Sequence, residues 1–571
     1  MSDNFTPKLG RIGWKAGTRL DRYINRVMNA AHAAGHVNGV SKSRFTGARM
    51  GRGSAFGTLA GAGFYAGSQR RAIVKARITK LKRGDLGAAR AHLRYIQRDG
   101  VTPEGEPGQL YGPDTDEANG TVFLDSCDGD RHQFRLIVSA DDGAELADLK
   151  PFIRDMMAKV EIDLGTKLDW VAVDHFNTGH PHTHIIIRGR DNQGDDLVIA
   201  KDYMSHGFRM RARELATLEL GPEIESDMSI KLGREVEAER FTRLDRALLR
   251  NTNKGFLVVS AMPPEERQAH ASHMGRLRKL EELGLARERQ TGVWEITQDM
   301  ETKLRSLGNR GDIIKTMHRT LRNAGIDRPG GSYSVFDTAK PNNRIVGRLA
   351  GIGLTDEIND RHYLVIDALD GKVHYVDVGH LHPEFVPEKG MIVSINNRAN
   401  SGEDHTRTRL RILSYLKLEN LIEAEGATWI DKELLNPKSE RCAEAGFGSV
   451  AIAALSRRRQ WLVAQSLGCI NDGGLFGPVP EMMNKNRIRE LRQAGIVLSK
   501  KLGLAYVDVI EGERVGGMYV RSANLASGKY AVIQKAQEFN LVPWQPQFEK
   551  ARTGKVDGLK MEAKRTKGPH L

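Results

Sequence analysis

The feature that most restricts what this chain can build is the stretch His175-Phe-Asn-Thr-Gly-His-Pro-His-Thr-His184, followed by Ile185-Ile-Ile-Arg188. β-Branched residues alternate on both sides of it, so Trp170 to His175 and His182 to Arg188 read as two strands joined by a tight Gly/Pro turn. Side chains two apart on a strand share a face. His182 and His184 therefore point one way, and Thr183, Ile185 and Ile187 the other. His175 closes the preceding strand on the face of Val171 and Val173. If the two strands pair, three imidazoles converge at the mouth of a hairpin. Three neutral imidazoles suit a divalent transition ion and leave coordination positions open, as catalysis requires. The competing reading is a surface turn that happens to be rich in histidine, and His180, inside the turn, is read that way.

Size and charge set the frame around that hairpin. A chain of 571 residues has room for about three or four domains at roughly 150 residues each. No apolar run of about 18 residues occurs, which argues against an integral membrane segment, and the polar start Met-Ser-Asp-Asn-Phe-Thr-Pro lacks a signal-peptide core. Cys127, Cys442 and Cys469 are far apart and form no metal-ligand spacing, in keeping with a reducing, cytoplasmic compartment. The net charge of +14 is uneven. Residues 1–90 hold 18 Lys/Arg against three Asp, a net +15, and residues 550–571 add seven Lys/Arg against Asp557 and Glu562. A basic arm and a basic tail around a mildly acidic body point to a polyanionic partner at the N-terminal end. Charged arms that merely keep a chain soluble are the alternative.

Along the chain, residues 1–70 read as a flexible basic arm, with a short helix around Arg19 to Ala34 and a glycine-rich run from Gly47 to Gly63. Residues 71–225 form the first ordered domain. Ile73 to Leu81 alternates Val74, Ala76 and Ile78 with Lys75, Arg77 and Thr79, the pattern of a strand with one buried and one basic face. Asp85 to Arg98 reads as a helix that packs Leu86, Ala89, Leu93 and Ile96 and turns Tyr95 away from that stripe. Arg94 and Arg98 lie near the phenol. Cations beside a phenol favour its ionised form and also bind phosphate. Phe134 to Ser139 is a strand, Glu145 to about Asp163 a helix, and Met204 to Leu220 another helix beyond the polar turn 190–196. This order implies an α+β fold, a largely antiparallel sheet with helices packed on one face.

Beyond it, residues 226–330 contain a helix from Glu235 to Leu249, then a helix, turn and β wing from Glu265 to Thr297. That outline fits a winged DNA-binding module or a plain helical hairpin. Pro329-Gly-Gly331 looks like a linker. Residues 331–416 are β-rich, with a hairpin at Asp370-Gly371 and strands short enough for a small barrel. Residues 417–548 are mixed α/β, with the basic run Arg457-Arg-Arg459 and a turn at Ser527-Gly528, and 549–571 are a basic tail. No repeat is evident.

With Tyr95 and the histidines placed, the first third of the chain resembles the relaxases of mobile plasmids in the HUH endonuclease superfamily. It is most similar to the MobP-type branch that contains the T-DNA border endonucleases. Leu93-Arg-Tyr-Ile-Gln-Arg-Asp-Gly100 resembles that branch's tyrosine motif, with Tyr95 on the nucleophile. His175, His182 and His184 fall on the three metal ligands of its histidine motif, and Phe134 to Gly143 resembles the block between the two. The branch commonly carries an acid two positions after the first histidine, where this chain has Asn177. Asp174, the nearest alternative, would face the opposite side of its strand. The region beyond about residue 250 resembles a C-terminal extension of unknown function in some alphaproteobacterial relaxases.

The resemblance implies a transesterase that nicks one strand at a plasmid origin of transfer, with Mg²⁺ or Mn²⁺ as cofactor. It would stay attached to the 5′ end through Tyr95 and pilot the strand in conjugation. Arg94, Arg98, Arg188, Lys75 and Arg77 are candidate DNA contacts. Implied partners are single-stranded and supercoiled plasmid DNA, relaxosome accessory proteins and a type IV coupling protein, and the implied route is export to the recipient cell on the DNA. A rolling-circle initiator or transposase of the same chemistry, or a non-catalytic metal-containing DNA-binding protein, are the other readings.

Overall fold

The computed structural model describes residues 51–53 and, apart from short internal stretches, residues 69–560. The Arg19–Ala34 helix, most of the glycine-rich run, Asn177, His180 and the end of the tail lie outside the described residues.

The N-terminal elements are β1 (Ala72–Lys80), α1 (Gly87–Ile96), α2 (Gly120–Ser126), β2 (His132–Ala140), α3 (Leu149–Leu164), β3 (Trp170–His175), β4 (His182–Arg188) and α4 (Phe208–Leu220). The strands make one antiparallel sheet in the order β1-β2-β4-β3. Its period-two pattern assigns Phe134, Leu136, Val138, Trp170, Ala172, Ile185 and Ile187 to one face, and all are buried against α3 and α4. Helix α3 meets them with Phe152, Ile153, Met156, Met157 and Val160, a stripe at helical spacing. Asp148 caps its start by accepting from the Lys150 N–H, and Gly165 ends it at φ +62°.

Helices cover part of the other face as well, unlike the single layer read from the sequence. Val171, Val173 and Ile186 point that way and need shielding from water, which α1 and α2 supply through Ala89, Leu93, Ile96, Phe123 and Leu124. The β1 side of that face carries Lys75, which is exposed, and Ile73, which is 54 % exposed. Residues 51–53, placed by composition in a flexible arm, are pinned to this domain. The Arg52 N–H donates to the Val198 carbonyl at 2.7 Å, and its guanidinium pairs with Asp191 at 2.7 Å. Gly51 has φ +115°, and a Cβ there would lie 2.7 Å from the Val198 oxygen, so glycine is required.

The next elements are α5 (Glu225–Glu237), α6 (Arg243–Arg250), β5 (Phe256–Val258), α7 (Arg267–Glu282), β6 (Ala286–Gln290), β7 (Val293–Ile296) and α8 (Met300–Asn323). The single helix expected over 235–249 is broken before Thr242, whose side chain and Asp245 form a reciprocal capping box. Strands β5, β7 and β6 make a three-stranded wing beside α7. Six strands follow: β8 (Tyr333–Val335), β9 (Arg344–Asp356), β10 (Arg361–Ala368), β11 (Val373–His380), β12 (Ile392–Arg398) and β13 (Arg407–Ser414). They form an open sheet in the order β13-β12-β9-β10-β11-β8, not a barrel. Pro329-Gly-Gly331 is no linker, because α8 packs Met317 and Leu321 against Ala350, Val365 and Val373 of that sheet.

The remainder repeats this plan: α9 (Glu419–Ile422), α10 (Trp429–Leu434), α11 (Gly446–Ala464), β14 (Gly468–Ile470), β15 (Phe476–Pro478), α12 (Met482–Leu502), β16 (Ala505–Tyr506), β17 (Arg514–Leu525), β18 (Gly528–Gln534), β19 (Glu538–Pro543) and β20 (Lys555–Lys560). Short helices, a two-stranded wing and a long helix precede a sheet in the order β16-β19-β18-β17-β20. The likeness extends to single atoms. Arg276, fully buried, binds both oxygens of Asp245 at 2.7 and 2.9 Å and donates to the carbonyls of Val236, Ala238 and Arg240. Arg458, also fully buried, binds Asp431 at 2.7 and 2.9 Å and the carbonyls of Ile422, Ala424 and Gly426. In both cases these carbonyls lie six, four and two residues before a threonine, Thr242 or Thr428, that forms a capping box with the same aspartate. The run Arg457-Arg-Arg459 is therefore not a basic surface stripe, since its middle residue ties this core together. β20 pairs with β17, which brings part of the basic tail into a sheet.

Candidate metal centre and its neighbours

The strand register fixes where the histidines meet. His175 pairs directly with His182, Val173 with His184, and His184 on its other side with Ile137. All three rings therefore project from the end of β3 and β4 on one face. Ring centroids are 4.3 Å apart for His175 and His184 and 5.2 Å for the other two pairs. One nitrogen of each lies within 4.8 Å of the others, and all three residues are buried.

His175 shows which nitrogen is offered. Its Nε2 is 2.6 Å from the Ile96 carbonyl, which can only accept, so Nε2 carries the proton and Nδ1 keeps its lone pair. That Nδ1 is buried with no hydrogen-bond partner among the described residues. Burial pushes the imidazolium down to about 2, helped by His184 and the Arg98 guanidinium, so the ring is neutral at ordinary pH. A neutral imidazole oriented by a main-chain carbonyl is the arrangement of a metal-ligating histidine. The site could hold a divalent ion on three nitrogens.

The same carbonyl ties α1 to the cluster, and Tyr95 is the residue before Ile96. Its ring is half-buried, with the Arg98 guanidinium 4.1 Å from the centroid. Arg98 also donates to the Tyr95 carbonyl at 3.1 Å. Arg94 is exposed on the same helix. Lys75 occupies the row of Ile137 and His184, and Arg77 the row of Arg135 and Ile186, both on the histidine face. At ~4.8 Å per strand this puts Lys75 about 10 Å from His184.

Arg188 is not part of this group. It ends β4 at roughly 20 Å from His182, at ~3.4 Å per residue, and binds Asp130 at 2.9 Å and Asp169 at 3.6 Å. Asp174 faces the opposite side of its strand, where it accepts from Tyr111 at 2.9 Å and Thr183 at 2.6 Å. Burial raises its pKa against those hydrogen bonds. Tyr203 likewise donates to Asp163 at 2.7 Å and is fully buried. Neither Tyr111 nor Tyr203 shares the histidine face.

Three residues near Tyr95 carry no mark in a motif. His92, one turn before Tyr95, and Arg135 on β2 both bind Asp360 from the β9–β10 turn, at 2.8 and 2.7 Å. Burial would raise the Asp360 carboxyl, but the His92 hydrogen bond and the Arg135 charge outweigh it and hold it at about 2. The Leu354 N–H donates to the Tyr95 hydroxyl at 2.9 Å, and the His362 ring stands edge-on to Tyr95 at 6.3 Å. Strand phase was the available signal for Arg135, which alternates with Phe134 and Leu136 and so shares the face of His184. Nothing local marks Asp360.

Among the described residues no helix is long and apolar enough to cross a membrane. No curated relative matches the chain. The profile of one family, DUF3363, described as a protein of unknown function, matches residues 273–408 and 401–564. Together these segments span just over half of the 571 residues, from within α7 to beyond β20. With its second half accounted for in this way, and the histidine cluster lying ahead of the match, the chain belongs to the DUF3363 family.

Proposed function

We propose that residues 71–225 are a metal-dependent DNA strand transferase in which Tyr95 attacks a backbone phosphorus, the chemistry of a plasmid relaxase. The observation that carries this reading is the Ile96 carbonyl on His175, which holds the helix of Tyr95 against the histidine cluster. His175, His182 and His184 would hold the ion. When bound, a divalent ion supplies a Lewis acid for the non-bridging oxygens of the scissile phosphate.

The residues do the rest. Tyr95 loses its proton to solvent, its oxygen forms a bond to phosphorus, and the bond from phosphorus to the 3′ oxygen breaks. That oxygen takes a proton and leaves as a 3′-hydroxyl, with the 5′ phosphate retained on the tyrosine. The phosphotyrosine ester preserves the energy of the diester, so a returning 3′-hydroxyl can reseal the strand without ATP. Arg98 lies over the ring and close enough to His175 to affect its charge, a position suited to the phosphate. Lys75, Arg77 and Arg94 offer cationic side chains for the flanking backbone. Transfer between cells, accessory proteins and a coupling protein are expectations from the resemblance.

The test is incubation of the full chain with Mn²⁺ and supercoiled DNA carrying the region around its own gene, followed by detergent and protease. Open circles with a Tyr95 peptide on the 5′ end are expected, and Tyr95→Phe should abolish them. Cleavage that persists in Tyr95→Phe would refute the assignment.

A further inference from the structure

We propose that Arg135 and His92 form a phosphate-binding subsite for single-stranded DNA beside Tyr95, and that Asp360 of the C-terminal half occupies it as a phosphate stand-in until DNA displaces it. The identity of the ligand rests on the nuclease reading above. The subsite itself rests on separate observations.

The first is the cost of burying Arg135. Its side chain is 5 % exposed, and a guanidinium taken from water to that degree needs an anion. Gln133, with its amide oxygen turned toward it, accepts from Nε and Nη2 at 2.8 and 3.0 Å and holds the fork in place. The anion, Asp360, comes from 225 residues further along the chain. The subsite is thus built and oriented within the N-terminal domain and neutralised by another part of the molecule.

The second is the way Asp360 binds. One carboxylate oxygen meets His92 Nδ1 and the other meets Arg135 Nη1. A phosphodiester would present two non-bridging oxygens and the same single negative charge to those donors. The turn is shaped for this reach. Asp360 has φ +51°, a left-handed conformation that aspartate tolerates better than most residues. The pairing of β10 slips by one residue between Arg361 and His362 against β9, and between His362 and Tyr363 against β11, a bulge that re-aims the tip.

The third is location. His92 is one helical turn from Tyr95, and Arg135 is two residues along β2 from Ile137, the cross-strand neighbour of His184. A strand threaded past Tyr95 would carry its neighbouring phosphate over this notch. The strands flanking that turn place the Leu354 N–H on the Tyr95 hydroxyl and His362 against its ring, so a hairpin tip that lifts to release Asp360 would also uncover the nucleophile.

The experiment measures binding of fluorescein-labelled oligothymidylate to the full-length protein by anisotropy at fixed salt. Asp360→Asn should tighten binding about ten-fold, the worth of one charge-assisted hydrogen bond regained. Adding Arg135→Gln should cancel that gain. In parallel, hydrogen exchange on the wild-type chain needs no variant to fold. Saturating oligothymidylate should speed exchange at Leu354 and around Asp360 while protecting α1. Unchanged affinity in Asp360→Asn, or a turn that stays protected in the saturated complex, overturns the proposal. Neither readout requires catalysis, so a failure of nicking with both effects intact would count against the transferase reading alone.

Discussion

Loading the histidine cluster with Mn²⁺ is the perturbation whose size can be worked from the structure. Without an ion, His175 keeps a buried lone pair at Nδ1 with no hydrogen-bond partner among the described residues, a deficit of about 1–3 kcal/mol. Its ring cannot turn to relieve this without giving up the 2.6 Å bond to the Ile96 carbonyl. Protonation does not relieve it either, since burial, with His184 and then Arg98 adding to it, pushes the imidazolium well below its ordinary range. An ion that binds only the folded state at ~100 times its dissociation constant adds ~2.7 kcal/mol. At about 2–4 °C per kcal/mol for a domain of this size, the melting transition should rise by roughly 5–11 °C. Differential scanning calorimetry of chelator-treated protein, with and without Mn²⁺, measures it. His182→Ala should abolish the rise while leaving the metal-free transition within a few degrees of wild type. An equal rise in His182→Ala, or none in the wild type, would refute the claim that these three rings share one ion.

Two more outcomes follow from buried partners. Tyr111→Phe removes the hydroxyl that donates to Asp174 at 2.9 Å; it should cost about 1–3 kcal/mol in urea unfolding and leave the covalent DNA adduct intact. Loss of the adduct in a folded Tyr111→Phe protein would move the nucleophile to that residue. Arg458→Met strands Asp431 in a site where both side chains are fully buried, so a loss of about 3–5 kcal/mol is expected. Denaturant titration showing less than about 1 kcal/mol would mean that this ion pair does not hold its helices together.

The parts of the fold that could be read in advance are those specified by short-range periodicity. Alternation placed β3 and β4 and assigned His182 and His184 to one face, because pleating forces residues two apart to the same side. Helical spacing picked out Leu86, Ala89, Leu93 and Ile96, and all four are buried. Asp370-Gly371 announced a hairpin, and Gly371 sits at φ +78°. What could not be read depends on partners far apart in sequence. Arg458 sits in a run of three arginines and is distinguished from Arg457 by Asp431 and three carbonyls, 27 to 36 residues away. The break before Thr242 is set by a capping box whose Asp245 is held by Arg276, 31 residues further on, and amphipathic spacing alone runs through it. Asp360 is one acid among 72 Asp and Glu in the chain, and only tertiary structure brings it to Arg135.

The twin clasps of Arg276 and Arg458 are built from the same three residue types, Thr, Asp and Arg, at two places in the chain. Superposing Thr242 on Thr428 and Asp245 on Asp431 calls for one offset, and superposing Arg276 on Arg458 for an offset four residues shorter. The second clasp therefore closes over a connection four residues shorter than the first. One fastening thus serves at two places in the chain: in each, a single buried arginine locks a short capped helix to the segment that precedes it, so each half carries its own clasp and neither depends on the other for it.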